Sequence, residues 1–136
     1  MQILEADKNV RKNIKRFYKQ QHYSASFMGY DRCFYIAKPN QDIIASVILS
    51  EIEHVNFLHA LVVDKAYQKQ GFASQLIDQC ANIGTPIFCF ADNKLDRLYQ
   101  SKGFHLGQES QLPDALAKRW HSYVKKSPNL LIYQYD

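Results

Sequence analysis

Only three cysteines occur in the 136 residues, Cys33, Cys80 and Cys89, at unrelated spacings. An odd count without a CxxC pair argues against a disulfide framework. No Cys/His cluster has zinc-ligand spacing, so no metal is expected. All three read as reduced, semi-buried thiols: Cys89 lies in an apolar run and Cys80 on the apolar face of a helix. No apolar run approaches the ~20 residues that a membrane helix needs, so no membrane partner is expected. Met1 to Val10 lacks the apolar core of a signal peptide, which makes a cytoplasmic protein the expectation. Repeats, low-complexity segments and flexible linkers are missing too, and the length suits one domain over residues 1–136 with one proper core.

The charge excess is small, +4 at pH 7. Much of it sits in Lys8, Arg11, Lys12, Lys15, Arg16 and Lys19. Val10, Ile14 and Phe17 recur there at helical spacing, which describes a core-packed helix with a basic solvated face. A patch for nucleic acid or an acidic partner is the sharper alternative, and no accompanying nucleic-acid motif supports it.

The apolar pattern predicts the elements in order. Met1 to Ala6 reads as a strand, and Asp7 can cap a helix to about Gln21. His22 to Asp31 reads as a loop or short helix. Strands are expected at Cys33–Lys38, Asp42–Leu49 and Val55–Val63, with turns at Pro39–Gln41 and Ser50–Glu53. A helix over Phe72–Asn82 is followed by a short apolar strand, Pro86–Ala91. A second helix, about Asn93 to Lys102, ends at Gly103, which suits a left-handed cap. Pro113 starts a last helix to about Lys125, and Leu130–Tyr135 closes the chain as a strand. Antiparallel strands followed by a βαβ crossover make a mixed α/β (α+β) sheet with helices on its faces.

Gln68 to Ser74 joins the longest strand to a helix. It offers Gly71, the small Ala73, the Ser74 hydroxyl and the Lys69 charge at a helix N-terminus, the ingredients of a phosphate cradle. No Gly-Lys-Ser/Thr follows, so it is not a P-loop. GxGxxG is absent, so it is not a dinucleotide fingerprint. An ordinary strand–loop–helix connection is the plainer reading of the turn alone.

These residues carry a resemblance. Val63, Tyr67, Gln68, Gly71 and Ala73 resemble the acetyl-CoA-binding motif of the Gcn5-related N-acetyltransferases (GNAT), a Q/R-x-x-G-x-G/A core five residues after a strand-ending valine. Asn93 and Leu98-Tyr99-x-x-x-Gly103-Phe104 resemble that family's later motif. The match runs from about Phe57 to Phe104, and the N-terminal third and last thirty residues fit in architecture alone. Leu58-His59-Ala60-Leu61 and the GFH ending at His105 are locally similar to the arylalkylamine N-acetyltransferases.

The resemblance implies the family fold, a mixed, mostly antiparallel sheet whose two middle strands, Val55–Val63 and Pro86–Ala91, splay apart around a thioester. It implies acetyl-CoA as co-substrate. Backbone groups of Leu61, Val62 and Val63 would pair with the pantetheine arm. The amides of Gln68, Lys69, Gln70, Gly71, Phe72, Ala73 and Ser74 would hold the pyrophosphate, and Asn93 would touch the far end of the pantetheine. Tyr99 would be the general acid that protonates the departing thiolate. His59 would take the amine proton, directly or through water. The plainer readings are a packed helix tyrosine and a satisfied strand histidine. The subfamily's second histidine is Phe57 here, and Glu51 and Glu53 are secondary candidates for the base. Cys89 as an acyl carrier lacks any visible His/Asp partner.

Tyr23, Phe27, Met28, Tyr30, Trp120 and Tyr123 could wall an acceptor pocket for a small-molecule amine. The alternatives are a protein or peptide N-acetyltransferase and a non-catalytic acyl-CoA sensor. The family often pairs, so a homodimer is compatible with the resemblance.

Overall fold

Alternation in the strands assigns the two faces of the sheet. In Cys33-Phe34-Tyr35-Ile36, Phe34 and Ile36 join one apolar cluster and Cys33 and Tyr35 another, the period-two signature of a sheet covered on both sides. The computed structural model describes residues 1–25, 27 and 29–136. Its strands are β1 (Ile3–Glu5), β2 (Arg32–Ala37), β3 (Ile43–Ile52), β4 (Val55–Val63), β5 (Ile87–Asp92), β6 (His105–Leu106) and β7 (Leu130–Tyr135). Its α-helices are α1 (Arg11–Gln20), α2 (Phe72–Ala81), α3 (Asp96–Ser101) and α4 (Asp114–Lys126).

The strands form one seven-stranded sheet in the order β1-β2-β3-β4-β5-β7-β6. Every pairing is antiparallel except β4 with β5. The α2 crossover requires that exception, because a strand–helix–strand unit returns parallel. Leu76, Ile77 and Cys80 of α2 and Tyr99 of α3 pack with Phe34, Val47, Leu58 and Cys89 on one face. Ile14, Phe17 and Tyr18 of α1 cover the opposite face beside Leu116 of α4, which meets Phe57 and Phe88. Each fully buried Leu or Ile here contributes on the order of 1.5–3 kcal/mol.

The elements follow the sequence pattern with three corrections. The strand expected to end at Leu49 continues to Ile52, and the turn is only Glu53 and His54. Both have positive φ, 48° and 71°, as a two-residue hairpin of primed type demands. No Gly or Asn marks it, so the pattern hid it. A two-residue strand, β6, was not expected and pairs with β7. The thiols are fully buried rather than semi-buried. At α1, Asp7 Oδ1 accepts from the amides of Asn9 and Val10 at 2.9 and 3.1 Å, just ahead of the first turn.

Candidate active site

The one parallel pairing is short. β4 and β5 are in register only from Asn56↔Ile87 to Leu58↔Cys89. Beyond Leu58, β4 keeps β3 as partner and β5 keeps β7 along its whole length. A gap therefore opens between the two middle strands, with unpaired backbone on the β5 side of β4.

A β-bulge lies where the gap begins. Ile48 faces His59 and Ser46 faces Val62, so β4 carries one residue more than β3 across this span. Ala60 absorbs the extra residue in a left-handed conformation, φ 56°. A bulge re-aims side chains. Here Ala60 packs with the α1 cluster and Leu61 with the α2 cluster. The Tyr18 hydroxyl reaches from α1 and donates to the Ala60 carbonyl at 2.7 Å.

At the far end of the gap the chain passes through a 3₁₀ turn, Lys65–Tyr67, and enters α2 at Gly71, φ 87°. Only glycine adopts that conformation without strain. A Cβ at Gly71 would meet nothing within 4 Å, so the space ahead of the helix is open. The amides of Gly71, Phe72, Ala73 and Ser74 have no acceptor among the described residues, as expected for an uncapped helix N-terminus. No acidic side chain occupies the first turn, and Lys69 lies just outside it in a left-handed conformation. The Gln68 amide turns back to the Val63 carbonyl at 3.2 Å, leaving that oxygen one lone pair for another donor. Asn93 is exposed at the end of β5, its amide bound to Asn129 O at 3.0 Å.

Tyr99 is held by a helix cap that explains the spacing of its motif. Phe104 N donates to Tyr99 O, and Gly103 N to Gln100 O, both at 3.1 Å. This is a Schellman ending with Gly103 left-handed at φ 88°. Its hydrophobic contact is Phe104 against Tyr99, ring centres 5.4 Å apart. Tyr133 stacks on the other side of the Tyr99 ring at 5.0 Å. The ring is 1% exposed. Cys89 Sγ donates to the phenol oxygen at 3.3 Å, which leaves the phenol's own proton available for donation. Burial first, and then the Cys89 thiol, push the Tyr99 phenol well above its usual pKa. Burial likewise pushes Cys89 up to about 12, so it is no ready nucleophile.

His59 lies on the opposite face of the sheet from Tyr99. It lines a cavity of about 630 Å³ between the sheet, the loop after α1, and α4 with the turn that follows it. Ser50 Oγ is 2.7 Å from its Nε2, a contact made because β3 continues past Leu49. The Phe57 ring stacks on the imidazole at 5.0 Å and 14°. Burial, then the Arg119 charge, push His59 down to about 4, with Asp31 opposing. His59 is therefore neutral at pH 7 and able to accept a proton.

Of the residues expected to wall an acceptor pocket, Tyr23, Tyr30 and Tyr123 line this cavity. Trp120 stands behind it against Phe90, at 5.1 Å. Phe27 lies under the Arg11 and Lys15 cations, and Met28 lies outside the described residues. Glu51 lines the cavity, whereas Glu53 sits in the hairpin turn and accepts from Ala115 N at 3.4 Å. Sequence reading missed Asp31, Phe90, Arg119 and Lys126. Arg119, Tyr123 and Lys126 recur at i, i+4 and i+7, a stripe that helical periodicity could have shown. Among the described residues no His, Cys, Asp or Glu group could hold a metal ion, and no helix is long and apolar enough to cross a membrane.

A model of the acetyltransferase (GNAT) domain matches residues 30–106, more than half of the chain. No curated protein sequence matches. Among solved structures, a GNAT-family acetyltransferase of Staphylococcus aureus Mu50 is similar over 98% of this chain and 97% of its own, with TM-score 0.67 and 14% identity. A mutant spermidine N-acetyltransferase of Vibrio cholerae is similar over 99% of this chain and 94% of its own (TM-score 0.65, 11% identity). N-acetylglutamate synthase of Neisseria gonorrhoeae, complexed with coenzyme A and N-acetyl-glutamate, matches 99% of this chain at TM-score 0.66 and 14% identity. This chain spans only 35% of that protein. At these identities the likeness is one of fold.

Proposed function

The chain belongs to the GNAT family of acetyltransferases, and from that premise we propose that it transfers the acetyl group of acetyl-CoA directly to a small-molecule primary amine. The observation that carries this reading is the gap between β4 and β5. One end meets a helix N-terminus with free amides, and the other meets the cavity at His59. Pyrophosphate at Gly71–Ser74 would be held by backbone N–H groups and the helix dipole, with Gln68, Lys69 and Gln70 forming the approach. The pantetheine would lie along Leu61, Val62 and Val63, with Asn93 at its far end.

The amine nitrogen enters from the cavity and attacks the thioester carbonyl. A C–N bond forms and the C–S bond breaks. His59, neutral and fixed by Ser50, receives the amine proton directly or through water. Tyr99 gives its phenol proton to the departing thiolate from the opposite face of the sheet. The raised phenol pKa means that Tyr99 still holds its proton when the thiolate forms. Acid–base assistance of this kind typically supplies about 10²–10⁴ in rate.

The half-enclosed cavity between α4 and the loop after α1, walled by Tyr23, Tyr30 and Tyr123, favours a small acceptor over a protein segment. Thiol release from acetyl-CoA across panels of amines and peptides tests the reading. Peptide turnover without small-amine turnover would replace it with the protein acetyltransferase. Coenzyme A binding without any thiol release would replace it with the sensor module.

A further inference from the structure

The acceptor cavity carries a cationic stripe along one wall. On one side α4 presents Arg119, Tyr123 and Lys126 as a single stripe. Asp31 and Glu51 of β3 also touch the cavity, but Glu51 alternates with Ser50 and so belongs to the face of Leu49, away from His59. Nearby, His121 pairs with Glu109 at 2.6 Å, and Glu53 accepts from the start of the helix. Arg119, Lys126 and Glu51 have no ion-pair partner among the described residues.

A last-turn lysine such as Lys126 is ordinary, since it complements the helix dipole. Arg119 is mid-helix and gains nothing there. Its guanidinium carbon sits 5.8 Å from the centre of the Phe57 ring, and that ring stacks on His59 at 5.0 Å. An unpaired cation is thus fixed one ring away from the base. A plain cationic amine arriving at His59 would meet repulsion from it. An amine with a carboxylate near its nitrogen would place that carboxylate on Arg119, and a guanidinium fork fits a carboxylate with two parallel hydrogen bonds.

We propose that the acceptor belongs to the amino-acid class, a primary amine whose carboxylate is held by Arg119 and Lys126 while its nitrogen faces His59. This rests on the acetyltransfer reading above. It adds a charge requirement that a bare amine does not satisfy.

The test compares amino acids with the amines left when their carboxyl is removed: phenylalanine with 2-phenylethylamine, tyrosine with tyramine, lysine with cadaverine. Phosphoethanolamine against ethanolamine separates a carboxylate site from a general anion site. The expected result is a preference for each amino acid of about tenfold or more in kcat/KM, as one charged hydrogen-bonded contact provides. Phosphoethanolamine should gain no comparable advantage. In Arg119→Gln the ratio within each pair collapses toward one, chiefly through KM for the amino acid. Lys118→Gln, an exposed neighbour outside the cavity, keeps the ratio. Equal or better use of the decarboxylated amines, an equal gain with phosphoethanolamine, or an unchanged ratio in Arg119→Gln overturns the proposal while acetyltransfer stands. No thiol release with any of these amines overturns both.

Discussion

The Tyr18 hydroxyl donates to the carbonyl of Ala60 at 2.7 Å, joining the first helix to the left-handed residue of the β4 bulge. The same hydroxyl lies 3.1 Å from Ser46 Oγ, which in turn lies 3.3 Å from Cys33 Sγ. A buried network thus holds the backbone between His59 and the gap. Tyr18→Phe leaves the buried Ala60 carbonyl without this donor. The expected destabilisation is about 1–3 kcal/mol in a denaturant melt. kcat should fall and KM for acetyl-CoA should rise, since the bulge adjoins the Leu61–Val63 backbone proposed to hold the pantetheine.

Gly71 offers a test of the proposed cofactor turn in which folding and binding are read apart. A Cβ there meets nothing within 4 Å, so the main cost of Gly71→Val is its left-handed backbone, roughly 1–3 kcal/mol. The branched side chain would project into the space in front of the free amides. Calorimetric titration with coenzyme A should show at least a tenfold weaker complex, while the far-ultraviolet circular dichroism stays that of the wild type.

Gly103 plays a different part. A Cβ there would come within 3.0 Å of the Tyr135 ring, in a backbone conformation that disfavours it as well. Gly103→Ala should lower stability by about 1–2 kcal/mol and reduce kcat through displacement of the Tyr99 helix end. A thermal melt together with kcat at saturating substrates checks both effects.

His59 ties stability to pH. Its folded pKa is about 4, against 6.5 unfolded. Between those values the unfolded chain binds the additional proton, so acid favours unfolding. Stability from this group is complete above pH 6.5 and is lost as the pH falls toward 4, by about 3 kcal/mol at most. Urea melts from pH 7.5 to 4 should show a smaller acid loss in His59→Gln than in wild type. For the same reason no acid limb near pH 6.5 is expected in kcat/KM for acetyl-CoA, and His59→Gln should lower kcat by about tenfold or more without introducing one.

Much of this fold was legible because its signals are local. β4, α2 and β7 follow apolar runs bounded by turn residues, and Gly71 and Gly103 announce left-handed positions. The elements that define the site are less local. The Ala60 bulge depends on pairing with β3 and on Tyr18, far away in sequence, and no residue at 60 advertises it. Ser50 appeared to lie in a turn because Glu53 and His54 carry none of the usual markers of a tight hairpin. Its approach to His59 was hidden with it. Phe57 and Phe90 read as core strand residues, yet both also face the cavity. The sequence leaves Arg119 and Lys126 unmarked as site residues, because their importance depends on what shares the cavity with them.

The most direct test is thiol release from acetyl-CoA by wild type and Tyr99→Phe, side by side, at saturating amine. The substitution keeps the ring that packs between Phe104 and Tyr133 and removes only the hydroxyl beside Cys89. With Tyr99 as the acid, kcat falls by about 10²–10⁴ while coenzyme A binding and the melting temperature stay close to wild type. A Tyr99→Phe protein that turns over at the wild-type rate would contradict that role and leave Tyr99 a packing residue.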